Sequence, residues 1–156
     1  MKDMEMQLIW IPLFIVLIMA TVTDLKTMTI SNRLTRNGLF YFLLIRLMWA
    51  LLPYTDYLVG VLVGAGFLWL INVIHPNTIG GGDIKLMAVV GAALGWQMTI
   101  PFLAILFLSS WIFVAVYRHL KRKTIVRFPL APFFLLSGAV LFWVQWDVFK
   151  VMLQMY

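Results

Sequence analysis

Apolar residues fill this chain in runs too long and too closely spaced for a water-facing domain. Of its 156 residues, 63% are hydrophobic and only 12% are charged. Soluble domains are nearer about 45–50% apolar and about 25% charged, so there is too little polar surface here to wrap a core in water. The composition dictates an integral membrane protein, all-α, because only helices satisfy every backbone group within a single hydrocarbon-embedded segment.

A spanning helix needs about 20 mostly apolar residues. Six runs approach that length, and the reading is a bundle of about six transmembrane helices over Met6–Thr23, Gly38–Pro53, Tyr57–Ile74, Ile84–Trp96, Met98–Tyr117 and Phe128–Trp146. Short joints separate them, including Pro53-Tyr54-Thr55-Asp56, His75-Pro76-Asn77-Thr78 and Gly95-Trp96-Gln97. No long linker interrupts residues 1–156, which read as a single membrane domain. The N-terminus lacks a basic region and a small-residue cleavage site, so the first run is expected to be retained as a helix.

Charge gives the orientation. The net charge is +6, but the basic residues lie in loops beside the spans, which points away from nucleic acid and towards the bilayer. Lys26, Arg33, Arg36, Lys85, Arg118, Lys121, Arg122, Lys123 and Arg127 flank the loops after spans one, three and five, whereas the terminal face holds Lys2 and Lys150. By the positive-inside rule the loop face is cytoplasmic, both termini are outside, and the protein sits in the inner (plasma) membrane.

The same count locates two acids. Asp24 ends the first span, and Asp83 follows Gly80-Gly81-Gly82 at the start of the fourth. Two crossings between them return the chain to the same side, so both carboxylates are expected at one depth on the cytoplasmic face. A carboxylate beside hydrocarbon costs about 2.5–3.5 kcal/mol at mid-helix and marks a functional position. Two held close share a proton, so one can take a proton from water while the other donates to a substrate carbonyl. That chemistry needs no metal, no cofactor and no covalent intermediate. Taken alone, either acid is a helix cap or an interfacial charge, and a lone Gly-Gly-Gly is a turn. Gly80, Gly81 and Gly82 would allow a tight backbone turn and the close approach of an extended substrate.

The motifs resemble the type IV prepilin peptidases, membrane aspartic proteases of the Gly-x-Gly-Asp kind, over nearly the whole chain. Their first motif places an aliphatic residue, Pro and Asn or Asp six to eight residues after the Asp. Here Asp24 is followed by Ile30, Ser31 and Asn32, with Ser31 where Pro is usual. Their second motif, Gly-x-Gly-Asp-x-Lys-Leu, is met by Gly80, Gly82, Asp83, Lys85 and Leu86, with Gly81 at the variable position. Phe128-Pro129-Leu130-Ala131-Pro132-Phe133 resembles the start of the family's last helix.

The resemblance implies that Asp24 and Asp83 are catalytic, and that the substrates are prepilin-like precursors losing a short basic leader at the cytoplasmic face. It also implies a short form of the family, like the peptidases of tight-adherence pili, without the cysteine-bearing region associated with N-methylation. The chain contains no cysteine.

Other residues carry blander readings. Lys26 and Lys85 are expected to turn to lipid headgroups. Arg46, inside span two, is expected to snorkel or pair with a carbonyl or acid in the bundle, the rival being an ion pair that tunes an aspartate. His75 precedes the glycines and reads as solvated rather than catalytic. Gly60 and Gly64, four apart, suggest close helix packing, with dimerisation the lesser reading; the oligomeric state is open. The tryptophans read as interfacial. Rivals from other classes are a small transporter using the acids as an ion relay, and a non-catalytic subunit of a secretion machine. A metal hydrolase is weaker, since two carboxylates and one His coordinate a divalent ion poorly.

Overall fold

The computed structural model describes residues 2–48, 53–76, 78–121 and 128–154. They form six helices: α1 (Lys2–Thr27), α2 (Asn32–Met48), α3 (Tyr54–Ile74), α4 (Gly81–Leu94), α5 (Trp96–Lys121) and α6 (Ala131–Gln154). The basic stretch over residues 122–127 and residues 49–52 of the second expected span lie outside the described residues.

Six apolar runs thus become six helices, but they are not equal. Among the described residues three helices are long and apolar enough to cross a membrane: Leu8–Thr27, Tyr54–Ile74 and Trp96–Leu120. The apolar stretch Ala131–Gln145 of α6 is shorter. Helix α2 carries Arg33, Arg36 and Arg46. With 14 residues, α4 is about 21 Å long, well short of the ~30 Å hydrocarbon thickness. The expected bundle of six helices is present, and within it the short α4 is an inner helix. Residues 86–95 are all buried, and α4 packs on α3, α2, α5 and α1.

Small residues allow this. Gly60 of α3 and Gly91 of α4 meet backbone to backbone: a Cβ at Gly60 would lie 2.5 Å from the Gly91 carbonyl oxygen, and one at Gly91 would strike the Gly60 carbonyl. One turn along, a Cβ at Gly64 would lie 3.1 Å from Met87 and Thr99. Packing within the chain accounts for Gly60 and Gly64.

At its C-terminal end α4 turns through Gly95, whose φ of 75° suits glycine. There the buried Arg46 reaches across from α2. Its Nε donates to the Ala93 carbonyl at 3.0 Å, its Nη2 donates to the same oxygen, and its guanidinium lies 4.5 Å from the Tyr57 ring centroid. The last carbonyls of a helix lack intrahelical donors, and a cation there complements the helix dipole. Of the readings for Arg46, pairing with a carbonyl inside the bundle is the one observed, about ten residues along α4 from Asp83.

The opposite end of the bundle gathers the C-termini of α1 and α3 and the N-termini of α2, α4 and α6. Chain direction alone puts Asp24 and Asp83 there.

Candidate active site

Asp24 stands in the last turn of α1. It is 6% exposed, and a buried carboxylate needs hydrogen-bond donors to offset lost hydration. The Ala131 amide supplies one, donating to Asp24 Oδ2 at 3.1 Å. Ala131 is the first residue of α6, so Asp24 takes up one of the amides that a helix N-terminus leaves unpaired. A turn earlier, the Thr21 hydroxyl sits between the carbonyls of Leu17 (2.7 Å) and Ala131 (3.1 Å). Two side chains of α1 thereby fix the start of α6, directly after the Phe128-Pro129-Leu130 segment.

Helix α1 ends just beyond Asp24 in an unusual way. The Met28 amide donates to the Asp24 carbonyl at 2.8 Å, and Met28 has φ of 52°. That left-handed position at a helix end normally falls to glycine.

Asp83 stands in the first turn of α4, where Gly80 caps the helix: its carbonyl accepts from the amides of Asp83 (3.0 Å) and Ile84 (3.3 Å). The Asp83 carboxylate folds back over the cap, so that a Cβ at Gly80 would lie 2.9 Å from Asp83 Oδ2. A Cβ at Gly82 would lie 3.0 Å from the Ile30 Cβ, whereas one at Gly81 would meet nothing within 4 Å. None of the three takes a positive φ. The expected turn is therefore a helix cap. Gly80 and Gly82 are needed for their missing side chains, not for backbone freedom, and Gly81 faces open space.

The two acids line one cavity of about 420 Å³, together with Met28, Asn72, Thr78, Ile79, Gly80, Gly81, Phe128 and Leu130. They are close enough for the charge of Asp24 to act on Asp83. Asp83 Oδ1 is buried with no hydrogen-bond partner among the described residues. The arrangement offers paired carboxylates, exposed Gly80 and Gly81 backbone, and an apolar wall of Phe128 and Leu130. Among the described residues no group of three His, Cys, Asp or Glu side chains gathers in a way that could hold a metal ion.

The remaining sequence candidates fall around this cavity rather than in it. Lys85 is exposed, and its Nζ donates to Asn32 Oδ1 at 2.7 Å. Lys26 is exposed. Ile30 packs on the α4 N-terminus, and Ser31, exposed, accepts the Thr35 amide through its carbonyl at 3.2 Å. His75 is exposed, caps the end of α3 through its backbone and does not line the cavity. Sequence reasoning missed Asn72, a polar residue in the last turn of α3, whose Oδ1 accepts the Ile79 amide at 3.5 Å. A single amide side chain within an apolar run was the available signal.

The sequence profile of the type IV leader peptidase family matches residues 11–118, more than half of the chain. The chain belongs to that family. It is 30% identical over 147 residues to a prepilin leader peptidase/N-methyltransferase of Pectobacterium carotovorum subsp. carotovorum, covering 84% of this chain and 52% of the relative. To a like-named protein of Escherichia coli (strain K12) it is 30% identical over 125 residues, 77% of this chain and 56% of the relative. A Bacillus subtilis (strain 168) protein of that name is 34% identical over 139 residues, covering 84% and 53%. The chain thus spans about half the length of the curated relatives it matches. No solved structure matches it significantly.

Proposed function

We propose that this leader peptidase family member is an aspartic endopeptidase, cutting the leader from type IV prepilin-like precursors at the cytoplasmic face of the inner membrane. The observation that carries the reading is the meeting of Asp24 and Asp83 in one cavity at one end of the bundle. The nine loop-facing cations support a cytoplasmic position for that end and an outside position for both termini.

Catalysis follows from a proton shared between two close carboxylates. A water held between them loses a proton to the ionised member as its oxygen bonds to the scissile carbonyl carbon. The protonated member donates to the carbonyl oxygen, giving a neutral gem-diol. On collapse, one hydroxyl proton returns to a carboxylate and the amide nitrogen takes a proton from the other; the C–N bond then breaks, releasing a carboxylic acid and an amine. Each aspartate ends ready for the next cycle. The Gly80–Gly81 backbone borders the cavity where an extended peptide can add its own hydrogen bonds, and Phe128 and Leu130 offer it an apolar face.

The test is direct. Membranes containing the protein are mixed with prepilin-like precursors from the same genome. A leader-sized loss is expected with the wild type, with chelator present or absent, and none with Asp24→Asn or Asp83→Asn. Cleavage that survives either substitution, or precursors left whole by the wild type, overturns the reading. An ion relay or an assembly subunit predicts no cleavage at all.

A further inference from the structure

The helices carrying the two acids touch each other only slightly: α4 packs chiefly on α3 and α2, and α1 chiefly on α6. Something else must set the separation of Asp24 and Asp83, and the segment joining α1 to α2 is placed to do so. It leaves Asp24 by way of Met28, lays Ile30 against Gly82 with no room for another side chain, and ends at Asn32, the first residue of α2. There the Lys85 ammonium, in the first turn of α4 beyond Asp83, donates to Asn32 Oδ1 at 2.7 Å. The flanking contacts bracket Asp83, one on the residue before it and one two residues after. Ile30, Asn32 and Lys85 do not line the cavity, so none is positioned to meet a substrate there.

We propose that Asn32 and Lys85 form a latch that holds the Asp24 segment on the α4 N-terminus and so sets the spacing of the two carboxylates. Both are positioning residues, and the inference rests on the peptidase reading above. The latch is exposed on the protein surface, where a single polar pair adds little to stability. It acts on rate instead, because a misplacement of about 1 Å at reacting groups costs on the order of 100-fold. The ammonium brings a charge-assisted bond, which is short and directional. The latch gives a role to the aliphatic and amide residues six and eight positions after Asp24, which lie away from the cavity itself.

The experiment is a double-mutant cycle on kcat and KM, using the precursor that the wild type cleaves, with Asn32→Leu, Lys85→Met and the two combined. Asn32→Leu leaves the Lys85 charge in place, so it separates geometry from electrostatics. Each single variant is expected to lose about tenfold in kcat, with KM within about twofold of wild type, and the double to lose no more than the worse single. Lys85→Arg, which keeps a donor on the same oxygen, is expected to stay within about threefold of wild type. Losses that multiply, a rise in KM in place of the fall in kcat, or an unimpaired Asn32→Leu overturn the latch. So does a fall in kcat that only tracks a lowered thermal midpoint in detergent. Asp83→Asn is run beside them: if it cleaves, the peptidase reading itself has failed, whatever the cycle shows.

Discussion

Gly60 and Gly91 touch through their backbones, each occupying the volume that a Cβ on the other would need. This contact brings the 14-residue α4 into the bundle and with it the aspartate at its head. Gly60→Ala and Gly91→Ala must therefore push two helices apart, at a cost of about 1–3 kcal/mol or more for overpacking. Gly66, whose Cβ would meet nothing within 4 Å, is the control: Gly66→Ala should be neutral or stabilise by up to about 1 kcal/mol through helix propensity. Unfolding midpoints in detergent check the contrast.

Asp24 ties α1 to α6, since its Oδ2 accepts the Ala131 amide. Asn keeps an acceptor oxygen in that place, so Asp24→Asn should be inactive yet close to wild type in stability. Asp24→Ala should be inactive and also less stable, by about 1 kcal/mol for a lost helix cap. Equal midpoints for the two variants would show that the capping bond contributes nothing.

The glycines of the second motif should separate in kinetics. A methyl at Gly80 would press on Asp83 Oδ2, and Gly80→Ala is expected to lower kcat by about 10- to 100-fold. Gly81→Ala adds its methyl in open space at the cavity edge, so kcat should stay within about threefold and any change should appear in KM. The two variants assayed side by side with one precursor decide the point.

Arg46 is remote from the chemistry and buried against Ala93 and Tyr57. Arg46→Ala leaves the end of α4 without its charged donor and removes a large buried side chain, a cost of about 3 kcal/mol. Turnover per folded molecule should remain within about threefold of wild type. A large fall in turnover without loss of stability would make Arg46 part of the site.

Much of this was legible in the sequence, for reasons that differ residue by residue. Asp24 and Asp83 stood out because charge is rare here, and counting chain reversals brought them to one end without knowledge of any contact. Gly60 and Gly64 declared a close helix contact by their spacing. The Lys85–Asn32 bond was not legible, because spacing along one helix says where a side chain leaves its own backbone, not which loop folds over it. Asn72 was passed over because an amide inside an apolar run shows its value only when its partner, the Ile79 amide, is in place. The six helices were legible as apolar runs, but the inner position of α4 was not, because hydropathy cannot tell lipid from neighbouring helices as the apolar surroundings.

That last distinction reaches beyond the fold. Lipid-facing helices tilt or kink where they exceed the hydrocarbon thickness, so their tilt changes with acyl-chain length. An inner helix jacketed by its neighbours, locked by glycine at its flank and by arginine at its tail, has no lipid to answer to. The height of the Asp83 carboxylate is thus fixed by the protein, and membranes of thin and thick composition should present the same pair of acids.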